Sequence, residues 1–165
     1  MDQLWAPWRL SYVVTPKEKP PTSGDECFIC RGNQGTDDRA NLVVHRTELS
    51  IVFLNQFPYN NGHLLVCPRA HKGRFDEQTP EEQLDQQQTI KRMIGILEKR
   101  IRPDGFNVGL NLGRAAGAGV PGHLHWHIVP RWTGDTNFMP VVTDTRVIVQ
   151  SLESLFDLVV EELRS

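Results

Sequence analysis

The segment His123-Leu124-His125-Trp126-His127-Ile128-Val129 alternates imidazoles with apolar side chains at a period of two. Successive side chains of an extended backbone point to opposite faces, so this run predicts a strand with three histidines on one face and Leu124, Trp126 and Ile128 on the other. The apolar face belongs in a core and the histidine face must line a site. Same-face residues lie about 6.6 Å apart along a strand, close enough for one imidazole to act on a ligand while its neighbours bind or orient it.

Composition bounds what surrounds this segment. The chain has 165 residues, 39% of them hydrophobic and 23% charged, with a net charge of −2. This is the profile of one soluble globular domain and excludes disorder and fibre. A chain of this size buries roughly 70% of the surface its unfolded form exposes, so it needs no disulfide staples. No run approaches the ~20 apolar residues of a membrane span, and the N-terminus lacks a signal peptide's apolar core, which together predict a cytoplasmic protein without a membrane partner. Near-zero net charge lacks the basic footprint that polymeric nucleic acid requires.

Punctuation and periodicity divide the chain. Residues 1–26 read as an arm carrying Trp5 and Trp8, followed by a Pro-rich loop, and Arg31 to Arg39 reads as turn-rich. Runs rich in Val, Ile, Leu and Phe at Leu42–His45, Ser50–Leu54 and His63–Cys67 predict an antiparallel meander. Thr79 and Glu82 form a capping box with Pro80 at the first helical position, and Ile90, Met93, Ile94, Leu97 and Ile101 trace one helical face that ends at Arg102-Pro103-Asp104-Gly105. Phe106–Leu112 alternates so that Asn107 and Asn111 share a strand face, and a Gly-rich loop leads from Gly113 to Gly122. Val147–Val149 reads as a short strand, and Leu152, Leu155, Phe156, Val159 and Leu163 trace a second helix. The expectation is an α+β domain spanning 1–165, with an antiparallel sheet of about five strands, one long helix and a C-terminal helix. Within it 1–26 is the arm, 27–140 the core and 141–165 the C-terminal strand and helix.

Two clusters carry chemistry. The Gly-rich loop offers backbone N–H groups to an anion, and with Asn111 and the histidines it suggests a phosphate pocket. A His-x-His strand is also a way to hold catalytic zinc, but no Asp or Glu lies between Asp104 and Asp135 to serve as the base. Cys27 and Cys30 form a C-x-x-C pair, which in a reducing compartment reads as half of a zinc site, as a buried reduced pair or as a redox pair. Zinc would need histidines to complete four ligands. Cys67 reads as a small core hydrophobe.

The run GHLHWHIVPRW, Gly122 to Trp132, resembles the signature of the histidine triad (HIT) superfamily. GHLLVCPRAH, Gly62 to His71, resembles its Gly-His strand, and FNVGLNLG the strand before its phosphate loop. LWAPWRLSYV and PRWTGDTNFMP are similar to the diadenosine tetraphosphate phosphorylase and fragile-histidine-triad branch, so the likeness covers most of residues 4–140.

This resemblance implies a HIT-like fold, a homodimer and cleavage at the α-phosphate of a dinucleoside polyphosphate or related nucleotide conjugate. His125 would be the nucleophile and form a nucleotidyl-histidine. His127 would hold phosphate oxygens and assist proton transfer, with His63 supporting the triad. Asn55 would contact the ribose and Asn111 the phosphates. The family loop often supplies Ser, Thr or Gln to the leaving group, but Arg114–Gly122 contains none, leaving the N–H groups of Gly119 and Val120 as oxyanion donors. Arg131 or Arg114 would neutralise the polyphosphate. Zinc-containing relatives such as galactose-1-phosphate uridylyltransferase imply a structural zinc on Cys27, Cys30, His71 and His123. Two other readings stay open: a nucleotide-binding regulator without turnover, and a three-His metallohydrolase.

Overall fold

The structure is a computed structural model and describes residues 27–135 and 148–165. The expected docking of the Trp5 and Trp8 arm, and Val147, lie outside the described residues.

Five strands form one antiparallel sheet: β1 (Val43–Arg46), β2 (Ser50–Leu54), β3 (Leu64–Pro68), β4 (Gly105–Leu110) and β5 (Trp126–Arg131). Their order is β1-β2-β3-β5-β4, so the expected meander leads the sheet and β5 inserts between β3 and β4. Three α-helices accompany it: α1 (Phe28–Gln34), α2 (Pro80–Ile101) and α3 (Leu152–Arg164). Thr79 caps α2, its side chain accepting from the Glu82 N–H while Glu82 accepts from the Thr79 N–H, as the sequence predicts. Ser151 caps α3, and the Ile148–Val149 part of the expected short strand is irregular.

The sheet has two covered faces because its central strands are apolar on both. Val52 and Leu54 of β2, Leu64 and Val66 of β3 and Ile128 of β5 pack with Ile90, Met93 and Leu97 of α2 and with Leu155, Phe156 and Val159 of α3. On the other face Ile51, Phe53, Leu65 and Cys67 pack with Cys27 and Ile29 at the start of α1. The period-two pattern of β5 puts His127 on this second face, opposite Leu65 of β3.

Two expectations change. α1 lies in a stretch read as turn-rich, because FICRGNQ contains Gly and Asn, which are poor helix formers. Packing holds it instead: a Cβ on Gly32 would lie 2.4 Å from the Phe53 ring, so only glycine lets the helix rest there. The histidine strand also begins later than expected. Ladder pairing starts at Trp126, leaving His123, Leu124 and His125 outside β5. The Leu124 N–H is held by the Lys72 carbonyl, in the segment after β3, and the His123 N–H by the Val120 carbonyl, contacts that period alone does not reveal.

Candidate active site and metal cluster

His63, His123, His125 and His127 are all buried. The His125 and His127 ring centroids lie 5.1 Å apart, as do those of His63 and His127. Main-chain partners fix which nitrogen of each ring carries a proton, since a carbonyl can only accept and an N–H can only donate.

His125 Nδ1 lies 2.8 Å from the His123 carbonyl oxygen, so this nitrogen donates. The neutral ring then keeps its lone pair on Nε2, the form that attacks an electrophile. The Tyr59 N–H donates to His63 Nδ1 at 3.0 Å, so His63 carries its proton on Nε2. That nitrogen lies 2.9 Å from His127 Nδ1 and donates to it. His127 must therefore carry its own proton on Nε2, a buried atom with no hydrogen-bond partner among the described residues. The chain Tyr59 to His63 to His127 thus ends in one N–H donor, on a ring whose centroid lies 5.1 Å from that of His125.

Burial disfavours the charged forms of His63 and His127. It is the main reason that His63 is lowered to about 3 and His127 to about 4, with the charge of neighbouring imidazoles adding to the effect. Tyr59 also stacks on His127, with ring centroids 5.5 Å apart and an interplanar angle of 17°. Tyr59 escaped the sequence reading because a lone tyrosine in the turn before Gly62 carries no periodic signal.

His123 faces the other way. Its Nε2 donates to the Pro68 carbonyl at 2.8 Å, turning the Nδ1 lone pair toward the cysteines. Cys27 Sγ and Cys30 Sγ lie 3.4 and 3.5 Å from that Nδ1, and Cys30 Sγ lies 3.1 Å from His71 Nδ1. All four ligand atoms fall within 4.8 Å of one another. A tetrahedral zinc with Zn–S near 2.3 Å and Zn–N near 2.0 Å has S···N edges of about 3.5 Å, so the donor set fits such an ion. The Pro68 carbonyl is the outer partner that orients a ligating histidine. Without a cation, burial and then the hydrogen bond and charge of Cys27 raise Cys30 to about 11, a cost that a bound metal removes. Cys67 is buried in the core, as expected.

The remaining candidates are distributed as follows. Asn55 Oδ1 accepts from the Phe57 N–H, which turns its Nδ2 to His63 Nδ1 at 3.2 Å. Asn111 follows β4, and its Nδ2 would lie 3.7 Å from a Cβ on Gly117 in the loop. Gly119 is exposed in that loop, and the Val120 carbonyl accepts from the His123 N–H. Arg131 is not brought to the histidines. It pairs opposite Gly105, four residues beyond His127 and so roughly 13 Å along the strand. Its guanidinium donates to the Asp135 carboxylate at 2.7 and 2.9 Å and to the Asn107 side-chain Oδ1 at 2.7 Å. Among the described residues, the group of His, Cys, Asp and Glu that gathers as for a metal is the Cys27, Cys30, His71 and His123 set; the three triad imidazoles do not converge on one point.

An open antiparallel sheet with buried imidazoles at the start of one strand defines a histidine-cluster fold with a separate Cys/His metal-ligand set. The HIT domain family model matches residues 37–134, and the chain belongs to the HIT family. The AP-4-A phosphorylase of Mycobacterium tuberculosis is 36% identical over 154 residues, covering 92% of this chain and 79% of that protein. The asymmetrical bis(5'-nucleosyl)-tetraphosphatase of Schizosaccharomyces pombe is 37% identical over 93 residues, 56% of this chain and 50% of that one. A zinc-bound histidine triad family protein from Mycobacterium smegmatis shares the fold, with a TM-score of 0.68 at 23% identity over 86% of this chain and 96% of its own. The chain is accordingly an enzyme of the HIT family. No helix among the described residues is long and apolar enough to cross a membrane.

Proposed function

We propose that the protein cleaves dinucleoside polyphosphates, such as diadenosine tetraphosphate, at an α-phosphate through a covalent nucleotidyl-His125 intermediate. This reading is carried by the hydrogen bonds of the two rings, which imply a lone pair on His125 Nε2 and a donor on His127 Nε2, with ring centroids 5.1 Å apart. His125 Nε2 attacks the α-phosphorus, the N–P bond forms, and the P–O bond to the departing phosphate chain breaks. The His127 Nε2–H donates a hydrogen bond to a phosphate oxygen as negative charge grows, and the phosphate chain leaves as the anion. The N–H groups of Gly119 and Val120 bind the same oxyanion, Asn55 reaches the ribose from beside His63, and Asn111 binds the phosphates. Water or inorganic phosphate then breaks the N–P bond. The names of the mycobacterial and yeast relatives support the substrate class.

Zinc held by Cys27, Cys30, His71 and His123 would supply structural charge and tie the start of α1 to the catalytic segment. The chain is proposed to act as a cytoplasmic homodimer; β4 ends the sheet as an open edge, with Val108 exposed on it. The His125→Ala variant tests the mechanism: turnover of diadenosine tetraphosphate should fall by at least about 10³-fold, and undiminished turnover refutes it. Product analysis with and without phosphate assigns the acceptor, because ADP replaces AMP as the product of the nucleotidyl half only when phosphate resolves the intermediate.

A further inference from the structure

The nucleophile sits just outside the sheet, and that raises the question of what holds it. β5 pairs with β3 only from Trp126 onward, so no ladder bond reaches His125 from that side. Leu124, directly before His125, donates its N–H to the Lys72 carbonyl at 2.7 Å. The two backbones also touch one residue further on. A Cβ on Gly73 would lie 3.1 Å from the Gly122 carbonyl oxygen, so glycine there lets the strands of chain close together.

Lys72 in turn is anchored away from this contact. Its Nζ donates to both carboxylate oxygens of Glu82, at 2.6 and 2.8 Å, and the Glu82 side chain is only 9% exposed. Glu82 also accepts from the Thr79 N–H at 2.7 Å, which seats it in the capping box of α2. A charge pair taken largely out of water adds little net stability, yet it holds its two ends in one geometry. Here one end is the rigid first turn of a 22-residue helix and the other is the residue whose carbonyl holds Leu124.

We infer that the Lys72–Glu82 ion pair is a positioning device for the nucleophile, fixing the Lys72 carbonyl and through Leu124 the backbone that carries His125. The inference rests on His125 as the nucleophile and goes beyond it by naming what aims the ring. Neither residue touches substrate; both act through Leu124.

The test compares wild type with Lys72→Met, Lys72→Arg and the double variant Lys72→Met/Glu82→Gln. The double variant removes the pair without leaving a buried unpaired charge, so it keeps the test decisive even if Lys72→Met, which strands the Glu82 carboxylate, fails to fold. Each is assayed for kcat and KM on diadenosine tetraphosphate, zinc content, Tm and hydrogen exchange at the Leu124 amide. Losing the tether should lower kcat by about tenfold or more while KM stays within about twofold. Leu124 exchange should rise by about tenfold or more. Zinc content should stay at the wild-type level, and Lys72→Arg should recover most of kcat. The proposal is overturned if the double variant keeps wild-type kcat and Leu124 protection, or if zinc is lost in step with activity, which would place the effect at His71. A wild type without turnover of this substrate refutes the function above, and Leu124 exchange then still decides whether the pair holds the segment.

Discussion

The two ends of the histidine segment are built by different means. His127 lies in β5 and takes its position from the sheet, opposite Leu65 on one side and Gly109 on the other. His123 lies before the strand and takes its position from point contacts to Pro68 and the cysteine pair. His125 stands between them and depends on both, since its Nδ1 is held by the carbonyl of His123 and its ring lies beside that of His127. A proposed nucleophile at the junction of a rigid ladder and a cluster that could hold a metal can be disturbed from either end, and the two disturbances leave different signatures.

Breaking the ladder end should have the larger kinetic effect. His127→Ala removes the Nε2 donor without touching the cysteine cluster, so kcat should fall by about 10² to 10³-fold while zinc content is unchanged. Loss of zinc in this variant would show that the two ends are not separate. At the other end, Cys30→Ser should abolish stoichiometric zinc binding and lower kcat by about tenfold, because His123 loses its partner and its carbonyl no longer fixes His125. Zinc retention by this variant would remove Cys30 from the ligand set.

The difference between the ends also explains what could be read from the sequence. α2 was legible to its first residue because Thr79, Pro80 and Glu82 specify a cap locally. The face on which His127 lies was legible because period two is a local property of β5. Asn55 and His63 entered only through likeness to the family, which gave no sign of their mutual contact. The true start of the histidine strand, the Lys72 and Pro68 carbonyls and the Tyr59 N–H were hidden, because any residue can supply a main-chain group and only the fold decides which one does. α1 was hidden for a related reason, since a seven-residue helix with a central glycine owes its existence to Phe53 beneath it. Cys27 and Cys30 announce a metal pair by spacing, whereas His71 stood out only through likeness to zinc-containing relatives.

Acid acts on both ends, because burial also holds His123, beside the cysteines, down to about 4. The pKa values of His63 and His127 lie below the ordinary 6.5, near 3 and 4, chiefly because burial disfavours the charged rings. Between these values and 6.5 the unfolded chain binds more protons than the folded one, so stability rises with pH across that window. It is fully present above about pH 6.5 and drains away as pH falls toward 4. Each group contributes a slope of up to about 1.4 kcal/mol per pH unit. Urea unfolding at several pH values should show this fall, and His63→Gln should flatten it by about a third, since His63, His123 and His127 all contribute. An unchanged slope would mean that His63 does not stay neutral in the folded protein.

The smallest effect is expected at Arg131, which separates the sequence expectation from the geometry. A guanidinium that neutralised the polyphosphate would be a major source of ground-state binding, and its loss would raise KM by a large factor. In the structure this side chain instead spans Asp135 and Asn107, at the end of β5 remote from His127. The pair is partly exposed, so its loss should cost little stability. Arg131→Ala should therefore keep KM for diadenosine tetraphosphate within about twofold, with a small drop in Tm. A tenfold rise in KM would return Arg131 to the substrate and show that the anionic chain extends along β5, past the ladder end of the histidine segment.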